Sequence, residues 1–227
     1  MKKLCAVASL LLAVIILVGC SIMENAKRQE FEERFSRISE VYPTTKVEEL
    51  FKKFPKGFEI EYLKTEYTGD SPYTQILKFD GDAKTKEILG TYVKESYEEE
   101  FPHLSVESEP IQIKYTDEKG IESTDGQELP ASVRNIRFLF TNFSFDKEKL
   151  KDLTYLNVTE SPVDGNYSIR YEIVNQTIND YIGINSNDKI EMELFGVPKF
   201  DKAHKYSVTI AFFKRGRDYF SEAIKEK

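Results

Sequence analysis

The chain has 227 residues, with 32 Lys and Arg against 39 Asp and Glu, and a formal charge of −7. That acidic balance excludes general nucleic-acid binding, which needs a basic footprint for the phosphates. The length suffices for one well-buried domain or two small ones.

The only cysteines are Cys5 and Cys20. Lys2 and Lys3 open the chain, Leu4 to Val18 carries no charge, and small residues precede Cys20. This is the layout of a secretory signal. The apolar run is shorter than the roughly 18–20 residues that span a bilayer comfortably. Polar sequence from Glu24 onward gives it no extension. Leu17-Val18-Gly19-Cys20 resembles the lipobox of bacterial lipoproteins. The resemblance implies cleavage before Cys20, a thioether-linked diacylglycerol on its sulfur and palmitate among the acyl groups. A thiol suits that step because its thiolate is a strong nucleophile. A transmembrane helix, or a signal with an incidental cysteine, is the alternative.

Residues 1–19 thus read as a signal peptide, and 20–30 as a lipidated terminus with a short polar tether. Residues 31–227 read as one domain. Removing residues 1–19 from 227 leaves 208, and the two leader lysines leave 30 basic against 39 acidic side chains, a charge of −9. An anionic membrane face repels such a body, so the lipid must hold it there. With no cysteine after Cys20, disulfides and thiolate metal sites are excluded from the folded part.

Phe31, Phe35, Ile38 and Val41 recur at helical spacing and predict an amphipathic helix stopped by Pro43. Thr45 is the expected N-cap of a second helix with Val47, Leu50 and Phe51 on its apolar side; Pro55 and Gly57 close it. The period then changes. Phe58, Ile60 and Tyr62 alternate with Glu59 and Glu61 as a strand. Leu77 and Phe79, then Asp80-Gly81-Asp82, then Ile88 to Val93 read as a hairpin. Glu98-Glu99-Glu100 before Pro102 reads as a solvated connection.

Ile111, Ile113 and Tyr115 predict a strand ended by the turn residues Asp117 to Gly120. The polar stretch 122–130 reads as a boundary between two halves or as a long loop. Ile136, Phe138 and Phe140 alternate like a strand. Asp146 caps a short helix through Leu153. Tyr167, Ile169, Tyr171 and Ile173 alternate strictly. Asn175 caps a helix ending near Gly183. Ile190, Met192 and Leu194, then Tyr206, Val208, Ile210 and Phe212, give two more strands. The expected class is α+β, with antiparallel β-sheet and a few short helices packed on one face.

Chemistry is sparse. His103 and His204 are the only histidines, and neither has a second histidine at metal-ligand spacing. Asp80-Gly81-Asp82 could start a calcium loop, but Lys84 and Lys86 stand where ligands belong, so a hairpin turn is the reading. Four Asn-x-Ser/Thr matches, at Asn142, Asn157, Asn166 and Asn175, read as turn and strand-edge residues. Lys214-Arg215-Gly216-Arg217 reads as a turn after the strand ending at Phe213. No nucleophile elbow, phosphate loop or dinucleotide fingerprint occurs. Catalytic residues, cofactors and metals are therefore all expected to be none. The aromatics Phe138, Phe140, Phe143, Phe145, Phe212, Phe213, Tyr219 and Phe220 suit an ordinary core, or the lining of a lipid cavity.

Several segments carry a resemblance. Val41-Tyr42-Pro43-Thr44-Thr45-Lys46-Val47-Glu48-Glu49-Leu50 is similar to the Tyr-Pro-Thr segment of the staphylococcal tandem-type lipoproteins, also called the Csa or Lpl family. Lys84-Thr85-Lys86-Glu87-Ile88-Leu89-Gly90-Thr91-Tyr92 resembles that family's hairpin strand. Pro162, Asn166-Tyr167-Ser168 and Tyr171, then Tyr219-Phe220-Ser221, resemble its later motifs in the same order. Phe79-Asp80-Gly81-Asp82 replaces the family's Asn-Arg-Asn-Thr wording, which makes the chain resemble a distant member. The resemblance implies a Gram-positive surface antigen with an α+β fold, held at the extracytoplasmic face of the cell membrane. It also implies contact with a host protein or immune receptor, and it carries no catalytic residue. The expected function is a non-enzymatic, membrane-anchored binding or host-interaction role. The alternative is carriage of a lipid or other hydrophobic ligand at the membrane. Nothing in the sequence sets the oligomeric state.

Overall fold

Alternating apolar residues build strands, and the strands join in one antiparallel sheet. The computed structural model describes residues 24–67, 72–97, 105–198, 205–215 and 217–227. β1 (Phe58–Glu66), β2 (Tyr73–Gly81), β3 (Ile88–Tyr97), β4 (Ser105–Glu107), β5 (Ile111–Thr116) and β6 (Gly120–Ser123) form a first meander. β7 (Thr154–Glu160), β8 (Tyr167–Ile173), β9 (Ile190–Gly196), β10 (Ser207–Lys214) and β11 (Arg217–Glu226) form a second. The spatial order is β6-β5-β3-β2-β1-β11-β10-β9-β8-β7, with β4 also on β3. The two meanders meet where β1 pairs with β11, from Phe58 opposite Glu226 to Lys64 opposite Phe220. The polar stretch 122–130 therefore links two halves of a continuous sheet.

Helices cover one face. They are α1 (24–34), α2 (Leu50–Lys53), α3 (Ala131–Arg134), α4 (Leu139–Asn142), α5 (Lys147–Lys151) and α6 (Gln176–Ile182), with 3-10 turns at Ser36–Glu40 and Val47–Glu49. The fold is the α+β class expected. The segment from β6 to β7 crosses the whole sheet, and its aromatics fill the middle. Phe138 packs on Tyr62, Phe79 and Tyr115, with ring centroids 6.4, 5.7 and 5.5 Å away. Phe140 meets Tyr42, Phe54 meets Tyr206, and Tyr181 meets Phe220. Each such ring, fully buried, contributes about 1.5–3 kcal/mol.

Beside the short elements β4, β6 and α3, which the sequence reading lacked, five details depart from it, each for a local reason. The first helix starts by residue 24, within the segment expected to be a tether, and gives way to a 3-10 turn at Ser36–Glu40. Thr45 caps nothing. Asp117, from the turn between β5 and β6, instead accepts from Val47 N and Glu48 N, and Glu48 Oε1 accepts from Asp117 N. Ile136 to Phe140 is not a strand: the chain runs as coil to Phe138 and enters α4 at Leu139, where the Glu222 carboxyl accepts from the Leu139 and Phe140 amides. β7 went unread because its inward residues, Tyr155 and Val158, are three apart, with the irregularity falling at Leu156. β11, a central strand, went unread because Glu222 occupies the inward position between Phe220 and Ile224.

Candidate binding face and end groove

The residues expected to carry sites fall in three groups. Cys20, His103 and His204 lie outside the described residues, as does the connection at Glu98-Glu99-Glu100. Asp82 closes the β2–β3 turn by accepting from Lys84 N and Thr85 N, which also holds its carboxyl below the ordinary range. Asp80 pairs with Lys227. The basic turn after β10 is engaged as well: Lys214 pairs with Asp188, and the Arg217 guanidinium sits 5.2 Å from the Tyr67 ring. Asn175 accepts from Ile178 N and caps α6, which ends at Gly183 in the left-handed region, φ +81. Asn142 donates to Phe138 O, and Asn166 donates to Asp164. Among the described residues, no group of three or more His, Cys, Asp or Glu is placed to hold a metal.

What the structure brings together instead is the uncovered face of the sheet. No described helix packs there. Reading across the strands, one row runs Arg170, Glu193, Ala211, Ser221, Leu63, Ile76, Val93. The next runs Ser168, Phe195, Thr209, Ala223, Glu61, Lys78, Thr91. Small residues in the centre, with Phe195, Phe213 and Leu63 beside them, leave a depression of about 520 Å³. A second, of about 370 Å³, lies over Glu61, Lys78, Leu89 and Lys225. Leu89 and Phe195 are 47% and 39% exposed, large apolar groups on a surface otherwise set with cross-strand ion pairs. Arg170 binds both Glu191 and Glu193, and Lys78 pairs with Glu61. A signal for this face was present in the sequence. Leu63, Ile76, Leu89, Val93, Phe195 and Phe213 occupy the outward positions of their strands, where a solvated sheet carries polar residues.

The second arrangement is at the end of the sheet where β7 begins and β8 ends. α1 lies along β8 on the covered face, with Phe31 and Phe35 against Tyr167. Arg28 fixes its start. The guanidinium donates to the Leu150, Lys151 and Leu153 carbonyls at the end of α5, and to buried Glu32 at 2.7 Å. The Arg28 guanidinium also sits 5.7 Å from the centre of the Tyr155 ring, which places the start of α1 beside the start of β7. At the same end a groove of about 680 Å³ opens between α5, α6 and the end of β8. Phe143, Phe145, Leu150, Leu153, Ile173 and Met192 line it, and Val174, 59% exposed, stands at its rim.

One ionisable group is sealed inside. Glu222 is fully buried and accepts from Leu139 N at 2.6 Å, Phe140 N at 3.0 Å and Tyr42 hydroxyl at 3.1 Å. Desolvation outweighs these three donors and raises its carboxyl to about 8. Without access from solvent it clamps α4 to β11. Asp125, in the polar stretch after β6, is held at about 2 by Gln112 N, Gln127 N and the Ser123 hydroxyl. Its carboxylate therefore organises its own loop.

No family model matches the chain. Three relatives are distant. An uncharacterized lipoprotein of Staphylococcus aureus is 24% identical over 201 residues, covering 76% of this chain and 72% of the relative. Two uncharacterized lipoproteins of Staphylococcus epidermidis are 22% and 24% identical over 196 and 197 residues, each covering 79% of this chain and 74% of the relative. The chain thus has staphylococcal lipoproteins as distant homologues, consistent with a membrane-anchored lipoprotein. Among the described residues no helix is long and apolar enough to cross a membrane.

Proposed function

We propose that this is a non-enzymatic surface lipoprotein, held through lipid on Cys20 at the extracytoplasmic face of the membrane, that binds a host protein through the uncovered face of its sheet. The observation that carries this reading is the placement of two features on opposite sides of one sheet. α1, which follows the anchor, packs on the covered face, whereas Leu89, Phe195 and the depressions lie on the other. A rigid sheet with apolar groups set among ion pairs suits a protein partner, because apolar contact supplies affinity and the charges select. The resemblance to the tandem-type lipoproteins, noted from the Tyr-Pro-Thr and later motifs, supports a host setting.

The carrier reading requires an enclosed apolar cavity between sheet and helices. Phe138, Phe140, Tyr42 and Phe212 occupy that space, which favours the surface-binding reading. The test is photocrosslinking from intact bacteria to host cells, with p-benzoylphenylalanine at Phe195 and, as a control, at Val163, which is 93% exposed. A discrete adduct from position 195, absent from position 163 and lost in Leu89→Asp, supports the reading. Equal adducts from both positions, or none from 195, overturn it.

A further inference from the structure

We propose that the groove between α5, α6 and the end of β8 seats one acyl chain of a phospholipid from the bilayer that holds the protein. This rests on the anchor at Cys20 and adds to it a second, non-covalent contact with the membrane. Phe143, Phe145, Leu150, Ile173 and Met192 line the groove together with polar side chains such as Lys149, Asp152 and Glu172. An apolar lining with a polar fringe suits an acyl chain and its headgroup, and the volume of about 680 Å³ suits a small hydrophobic ligand. Val174, 59% exposed, continues the apolar lining to the rim of the groove.

Position identifies the occupant. Glu24, the first described residue, is four residues from Cys20, so an extended chain places it at most about 14 Å from the anchor. α1 is not free to swing from there. Arg28 ties its start to the Leu150, Lys151 and Leu153 carbonyls, and Leu150 and Leu153 are themselves groove residues. The strand ends agree: Arg28 sits over the Tyr155 ring at the start of β7, while the groove is lined by Thr154 beside it and by Ile173 at the end of β8. The start of α1 and the groove therefore lie at the same end of the sheet, and chain length keeps the anchor within about 14 Å of that start. A bilayer within reach of Cys20 is the nearest source of hydrocarbon to that groove.

The experiment uses the mature lipidated protein in phosphatidylglycerol vesicles containing phosphatidylglycerol with a diazirine on one acyl chain. After irradiation, labelled peptides and the intact mass are read by mass spectrometry. The expected result is an acylated Cys20 and labelling concentrated on 142–154 and 172–178. Val174→Asp at the rim and Thr177→Phe, an exposed position filling the mouth, should each lose most of that labelling. Leu89→Asp on the far face should keep it. Acylated Cys20 with no labelling in the groove overturns this proposal and leaves the anchor reading standing, and it includes the case in which the protein's own acyl chain fills the groove. An unacylated Cys20 overturns both.

Discussion

Replacing Glu222 by Gln tests the account of the core, because the two proteins should respond differently to pH. Folded, the carboxyl holds its proton to about pH 8; unfolded, it loses it near the ordinary value of 4.5. Between those values the folded state binds more protons than the unfolded chain. Stability is therefore fullest below about pH 4.5 and declines as pH rises through 8. At about 1.4 kcal/mol per unit, the decline approaches 5 kcal/mol. Gln cannot titrate, so its variant lacks that decline. It also loses an acceptor, since its amide nitrogen must face either the Leu139 or the Phe140 amide, at a cost of about 1–3 kcal/mol. Wild type should then be the more stable protein at pH 5, and the variant at pH 9.

The neighbouring Tyr42, Tyr62, Tyr181 and Tyr206 phenols are all raised by burial first, and stay neutral across this window. Asp82, Asp125 and Asp164 are lowered and titrate below it. His103 and His204 are common to both proteins and cancel in the difference. Urea denaturation at half-unit steps reads the two curves. Parallel curves from pH 5 to 9 would refute the claim that burial dominates at Glu222.

Other outcomes follow from the same structure. Cys20→Ser should move the protein from the membrane to the soluble fraction or leave it unprocessed, read by fractionation and intact mass. Ile210→Ala, at a fully buried position on β10, should cost about 2–5 kcal/mol by chemical denaturation. Arg28→Ala leaves Glu32 buried without its ion pair and should cost about 3–5 kcal/mol, with faster amide exchange in α1 and α5. Gly90→Ala should lower the melting temperature further than Gly126→Ala, because a Cβ at 90 would sit 2.1 Å from the Lys78 carbonyl, whereas one at 126 meets nothing and costs only the backbone strain of φ +82.

The sheet was legible where large apolar residues recur at every second position on the covered face, as in β1, β8, β9 and β10. It was illegible where one residue broke that period. Glu222 hid β11 by placing a carboxyl among inward apolar groups, and the irregularity at Leu156 hid β7 by shifting the phase. Phe138 and Phe140 gave a false strand because both are buried, though one precedes α4 and the other lies inside it. Caps within a few residues, at Asp146 and Asn175, were readable from spacing. The Asp117 cap of residues Val47 and Glu48 was not, since it comes from about seventy residues away. The binding face was half legible: apolar residues at outward positions marked it, but only the strand order set them side by side.

The orientation of the domain tests the central claim most directly. Single cysteines replace Phe195 on the uncovered face and Lys151 on α5 in the lipidated protein, each carrying a fluorophore. Membrane-impermeant thiol labelling of protoplasts precedes quenching by nitroxide lipids. The account predicts that both sites label from outside, that position 151 is quenched by the lipid, and that position 195 is not. Labelling only after lysis, or stronger quenching at 195 than at 151, would contradict it.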